Sequence, residues 1–135
     1  MKITIPVAPK PQARPRFNSF NKRAYEDSAM TAYKQSVKYH VMATKPNLIE
    51  SGAVGVSITF FVYPPKYLLT KKKMAQELAN ETLYVDKKPD IDNYFKAVTD
   101  ALEGVLYKND GQIAVVTMQK LYSLNPRTEI EVEEI

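Results

Sequence analysis

Val54, Val56, Ile58, Phe60 and Val62 place an apolar side chain at every second position without a break. Successive side chains of a strand leave it on opposite faces, so Val54 to Tyr63 has to be a β-strand with one face on a core. Pro64-Pro65 ends it. The remaining chain has to supply partners for this strand and a layer to cover it. Lys2 to Pro6 puts Ile3 and Ile5 on one face and reads as a short strand. Prolines at 6, 9, 11 and 15 forbid a helix in the following stretch and hold it extended, and Asn18 to Arg23 is a polar turn region. Apolar positions Ala32, Tyr33, Val37, Val41 and Met42 recur at helical spacing from about Ser28 to Thr44, with Pro46 closing the helix.

A second helix is expected over Thr70 to Asn80, capped by Thr70 and opening on Lys71-Lys72-Lys73. Lysines at a helix start oppose the macrodipole, a cost recovered if they face phosphate. A third helix spans about Asp92 to Glu103, with Phe95, Val98, Leu102 and Leu106 as its apolar stripe and Gly104 as its stop. Gln112 to Ser123 and Thr128 to Ile135 read as strands separated by a turn at Asn125-Pro126. The order β-α-β-α-α-β-β describes an α+β fold with helices packed on one mixed sheet. Its 135 residues suit a single domain over 1–135. No apolar run reaches the ~20 residues of a membrane helix, and no membrane partner is expected. The absence of cysteine fits a reducing compartment, so the expected location is cytoplasmic.

Charge is polarised along the chain. Nine lysines and arginines precede Glu50 against Glu26 and Asp27, while the tail carries Glu129, Glu131, Glu133 and Glu134. With a net charge of +4, this asymmetry points to a polyanionic partner such as nucleic acid. Inside this basic chain, Lys88-Pro89-Asp90-Ile91-Asp92-Asn93-Tyr94-Phe95-Lys96 and Lys108-Asn109-Asp110-Gly111-Gln112 gather acids around one helix. One aspartate at a helix start is a cap. Two, one residue apart, exceed that need and can present both carboxylates to one cation, and hard oxygen ligands suit Mg²⁺, with Mn²⁺ as a substitute. The helix carries the chain ~18 Å out. An extended, antiparallel Val105 to Asp110 returns it by ~20 Å, which allows Asp110 to join Asp90 and Asp92. Lys96 shares a face with Asp92 and can pair with it, and Asp100, one turn on, can orient Lys96. Glu77, Glu81 and Asp86 are further acids that no pattern places.

These blocks, Lys88-Pro89-Asp90-x-Asp92-Asn93-x-x-Lys96, Asp100-Ala101-Leu102 and Asn109-Asp110-x-Gln112-Ile113, resemble the core signature of the RusA family of Holliday junction resolvases. Pro9-Lys10-Pro11-x-x-Arg14-Pro15-Arg16-Phe17 is similar to the proline- and arginine-rich opening of many members, often encoded by bacteriophages or prophages. The resemblance spans roughly residues 3 to 122 and departs at Asn109, where some members carry a second acid. It implies Mg²⁺-dependent homodimers that resolve four-way DNA junctions by paired nicks in recombination and repair. Asp90, Asp92 and Asp110 fall on the catalytic, metal-binding aspartates and Lys96 on the catalytic lysine. Lys10, Arg14, Arg16, Lys71, Lys72 and Lys73 are the expected DNA contacts. The alternatives are a less selective nuclease of branched DNA or flaps and a non-catalytic binder of DNA structure. A nucleotide-sugar transferase with an Asp-x-Asp motif is disfavoured by the short chain and the missing parallel β/α pattern.

Overall fold

A computed structural model describes residues 2–13, 16–18, 23–25 and 27–135, with the side chains of 14–26 outside that description. In chain order its elements are β1 (Lys2–Ile5), β2 (Arg16–Asn18), β3 (Arg23–Tyr25), α1 (Ser28–Met42), β4 (Val54–Val62), α2 (Lys66–Leu69), α3 (Ala75–Asn80), α4 (Ile91–Leu102), β5 (Ile113–Tyr122) and β6 (Arg127–Glu134). Short 3-10 turns occupy Lys72–Met74 and Asp110–Gln112. Four strands form one mixed sheet in the order β1-β6-β4-β5; β4 runs parallel to β5 and antiparallel to β6, which is antiparallel to β1. The fold is therefore α+β around a mixed sheet, as the order of predicted elements implied.

Register explains how the sheet finds its core. Ile3 pairs with Ile130, Ile130 with Ile58, and Ile58 with Met118, so one apolar row crosses all four strands. The helices α1 and α4 cover that face, burying Tyr33, Val37 and Val41 of α1 and Ala97, Val98, Ala101 and Leu102 of α4. The Phe60 and Tyr94 rings stack at 5.4 Å between centroids, fixing α4 over β4. A parallel pair needs a crossover connection, and α4 is part of it. The catalytic candidates on α4 consequently ride on an element clamped to the sheet.

The structure corrects the sequence reading at two places. The helix expected over Thr70 to Asn80 is broken: α2 begins straight after Pro64-Pro65, and Thr70 is its C-cap, with its hydroxyl donating to the Tyr67 carbonyl at 3.3 Å. Only Leu78 is buried in α3 and only Leu68 in α2, so no apolar stripe sustains one continuous helix. At the polar turn region of Asn18 to Arg23, β2 and β3 pair antiparallel, in register Arg16 to Tyr25 through Asn18 to Arg23. Residues 105–110 do not return as an extended strand. Gly104 (φ 85°) stops α4, as its position suggests, but its N–H bonds the Tyr107 carbonyl at 2.7 Å and Leu106 N–H still bonds Leu102. The chain folds into a tight turn at the helix end, and Ile49 holds its far side through Lys108 N–H and the Leu106 carbonyl.

Candidate active site

Asp90 occupies the N-cap position of α4 (φ −64°, ψ 143°), yet its carboxylate makes no capping hydrogen bond; only its carbonyl engages, accepting from Asn93 N–H at 3.1 Å. Asp92 lies in the first turn with its side chain exposed. Among the described residues neither carboxylate has a hydrogen bond or ion pair, so capping does not account for the Asp-x-Asp pair. Two other segments hold this helix start in place. Gln12 N–H donates to the Asn93 carbonyl at 2.9 Å, laying the proline-rich segment across the first turn. Lys120 of β5 donates from Nζ to the carbonyls of Lys87 and Pro89, each at 2.8 Å, and the Lys88–Pro89 peptide between them is cis.

Lys96 extends from the middle of α4 and meets Asp100 Oδ2 at 3.4 Å, while Lys34 of α1 meets the same oxygen at 3.5 Å. Lys96 is thus paired with Asp100 and not with Asp92: both neighbours lie four residues away, but only Asp100 is also held by a second cation across the α1–α4 contact. Phe95, Lys96, Thr99 and Asp100 line one side of an open groove of about 430 Å³, and Asp110, Ile113 and Val116 line the other. Asp110 is delivered by a built turn. Asn109 Oδ1 accepts from Gly111 N–H and Gln112 Oε1 accepts from Asn109 N–H, both at 2.8 Å. A β-carbon on Gly111 would come within 3.2 Å of Asn109 Oδ1, so the turn is tightest with glycine there. Gln112 Nε2 anchors the turn on the carbonyls of Ile49 and Gly52.

Electrostatics single out Asp110. Its N–H donates to Glu103 Oε2 at 2.9 Å, and its Oδ1 is buried with no hydrogen-bond partner. Burial first, then the Glu103 and Asp100 carboxylates, push its pKa above the ordinary carboxylate range, opposed by the nearby Tyr107 hydroxyl. Burial likewise raises Tyr107, whose hydroxyl donates to the Thr99 carbonyl at 2.8 Å. An orphaned carboxylate oxygen in a neighbourhood of negative charge is a place where a cation would be favoured.

Asp110 faces Asp100 and Glu103 at the end of α4. The separation from Asp92 to Asp100 is eight residues, about 12 Å along the axis. The turn after Gly104 replaces the extended return, and Asp110 shares the groove with Lys96 and Asp100. Among the described residues no three His, Cys, Asp or Glu side chains lie close enough together to hold a metal ion. The donor chemistry nevertheless fits a hard divalent cation: all-oxygen ligands, two uncommitted aspartates and one orphaned buried oxygen.

A family model described as endodeoxyribonuclease RusA matches residues 6–133. The chain belongs to the RusA family. It is also 33% identical over 137 residues to the uncharacterised protein YqaN of Bacillus subtilis strain 168, covering 100% of this chain and 96% of that relative. The RusA family is one of endodeoxyribonucleases, and its match encloses Asp90, Asp92, Lys96 and Asp110.

The expected DNA contacts are only partly described. Lys10 is half-buried, Lys71, Lys72 and Lys73 are exposed, Arg14 lies outside the described residues, and Arg16 is described only as backbone in β2. Sequence reasoning did not find Lys34, Glu103, Tyr107 or Lys120. Lys34 and Asp100 are 66 positions apart, and nothing local in the chain announces such a pair. Glu81, left unplaced by the sequence, is a bidentate partner of Arg127 at 2.7 and 3.1 Å and is unavailable to the site.

Proposed function

We propose that this protein is a Mg²⁺-dependent endodeoxyribonuclease that resolves four-way DNA junctions as a homodimer, making one nick per subunit. The observation that carries this reading is the family match over residues 6–133 with Asp90, Asp92, Lys96 and Asp110 all present. The metal, when bound, activates water and stabilises charge on the phosphate. Asp90, Asp92 and Asp110 are the residues that would hold it. Lys96 adds positive charge in the groove where the phosphate lies, and Asp100 together with Lys34 sets its position. Lys10, Arg14, Arg16 and Lys71 to Lys73 grip backbone phosphates without reading sequence. A junction has approximate two-fold symmetry, which an isologous dimer matches.

The deciding experiment is cleavage of a synthetic four-way junction in Mg²⁺ and in EDTA, with wild type beside Asp92→Asn. Wild type is expected to nick symmetrically only with the metal, and Asp92→Asn to bind the junction while cleaving at least about a hundredfold more slowly. Equal cleavage of junction, flap and linear duplex would reduce the reading to a less selective nuclease. Junction binding without any cleavage by wild type would leave only a structure-specific binder.

A further inference from the structure

The seam between α1 and α4 is closed at one turn and open at the next. Lys34 of α1 meets Asp100 of α4 at 3.5 Å, and Asp100 lines the groove that holds Lys96 and Asp110. One turn further along both helices, Lys38 and Glu103 line a second concavity of about 590 Å³, together with Lys45, Met42, Pro46 and Val105. The pairing of lysine with acid does not repeat there. Lys38 and Lys45 are exposed, and among the described residues neither makes an ion pair or a side-chain hydrogen bond. Glu103 is engaged elsewhere, its Oε2 accepting from Asp110 N–H at 2.9 Å. The side chains of Met42, Pro46 and Val105 offer the lysines no anion. Lys45 adds a second observation. It follows the end of α1 with φ 53°, a left-handed conformation that suits glycine and costs a residue with a β-carbon. The negative end of α1 favours a positive charge nearby, but folding gains nothing from placing a lysine at a positive φ.

We propose that this concavity is a phosphate-binding site for the DNA backbone, with Lys38 and Lys45 holding the strand beside the groove. Two links join the site to the groove. The Lys34–Asp100 pair stands one turn before Lys38 on the same helix face, and Glu103 bonds the turn that carries Asp110. Lys38 lies about 6 Å beyond Lys34 along α1, the span of one to two nucleotides of duplex at ~3.4 Å each. Asp100, Glu103 and Asp110 crowd the groove end, so phosphate is favoured there once a cation is bound. Lys38 and Lys45 need no cation and can hold a neighbouring phosphate beforehand, positioning the strand without reading its sequence. This inference rests on the nuclease reading for its ligand and adds a DNA-contacting face on α1 that the expected contacts leave out.

The test is acetylation of lysines in the full wild-type chain, read by mass spectrometry, with and without a saturating synthetic four-way junction in EDTA. Lys38 and Lys45 are expected to react at least about fivefold more slowly with DNA present. Lys2 is the reference, because its register with Glu131 puts it on the sheet face away from the helices. Equal reactivity of Lys38 and Lys45 with and without DNA, or protection no greater than that of Lys2, overturns the proposal. Salt dependence supplies a second readout. Lys38→Gln/Lys45→Gly should make the log–log slope of junction binding shallower by about 1.8, two phosphate contacts at ~0.9 each. Lys38→Arg/Lys45→Arg should keep the wild-type slope. An unaltered slope in the first variant, or an equal loss in the second, also overturns it. Lys45→Gly alone should unfold at a higher temperature than wild type while binding the junction more weakly, since glycine relieves the positive φ. A lower unfolding midpoint together with weaker binding would make Lys45 a structural residue and remove it from the site. Junction cleavage in Mg²⁺ keeps the two readings apart. Cleavage by wild type without protection of Lys38 and Lys45 removes the phosphate site alone, and protection without cleavage removes the nuclease alone.

Discussion

Asp110 shows how a single side chain can be placed against its own stability. Its buried oxygen has no donor, and Glu103 and Asp100 face it with the same charge. Because its folded pKa is raised, the native state holds the proton more tightly than the unfolded chain. Stability is therefore lost as pH rises from the unfolded value, about 3.9, through the raised folded one. Asp110→Asn should raise the melting temperature of the metal-free protein at pH 7. The gain should disappear below about pH 4. Scanning calorimetry across pH checks both, and a lower melting point for the variant at pH 7 would contradict the assignment. Asp100 has the complementary task of holding two ammonium groups at 3.4 and 3.5 Å. Asp100→Asn frees Lys96 from that position and should lower kcat by about tenfold with little change in KM, while Asp100→Glu should restore part of it. A KM effect alone would argue that Lys96 only binds.

At the scale of elements, what was legible in the sequence follows the length of each apolar pattern. The alternation in β4 and the stripe on α4 are long, and the structure has both elements within a residue of the expected ends. The α2–α3 stretch has one buried residue in each helix, so its local pattern carries little information, and distant contacts decide its shape. Chief among these is Arg127, whose guanidinium forks onto Glu81, bonds Glu129 at 3.0 Å and lies 3.8 Å from the centre of the Phe61 ring. Glu81 itself takes the left-handed conformation at φ 58°, closing α3. Arg127→Ala should cost about 2 kcal/mol, measured by urea unfolding, and should loosen 66–85 first in hydrogen exchange. The Arg127 hydrogen bond holds Glu81 below the ordinary carboxylate range. That contribution is present above the unfolded carboxylate pKa and fades as pH falls through the lowered one, so the cost of Arg127→Ala should shrink in acid. The site was legible in the same uneven way. The Asp-x-Asp pair and Lys96 share one helix and could be read from spacing. Spacing also offered Asp100 as the residue that orients Lys96, and the structure has that pair, but the second cation on Asp100 and the surroundings of Asp110 depend on α1 and on a turn, neither of which spacing encodes.

For the whole molecule, the net charge of +4 understates the field that DNA meets. The basic residues gather in the first half and around 66–88, while Glu129 is occupied by Lys2 and Arg127. Binding to DNA should therefore weaken steeply with salt, with a log–log slope of about −0.9 for each phosphate neutralised on duplex arms. The run Lys71-Lys72-Lys73 is exposed and bears no part of either apolar core, so its charge can be removed without disturbing the fold. The triple variant Lys71→Gln/Lys72→Gln/Lys73→Gln should make the slope shallower by up to about 2.7, three phosphate contacts at that increment. It should leave the single-turnover cleavage rate at saturating enzyme unchanged, because these lysines lie outside the Lys96–Asp110 groove. An unaltered slope would remove them from the DNA-binding surface. A shallower slope accompanied by slower saturated cleavage would show instead that they position the strand for reaction, merging two surfaces that the fold keeps on separate stretches of chain.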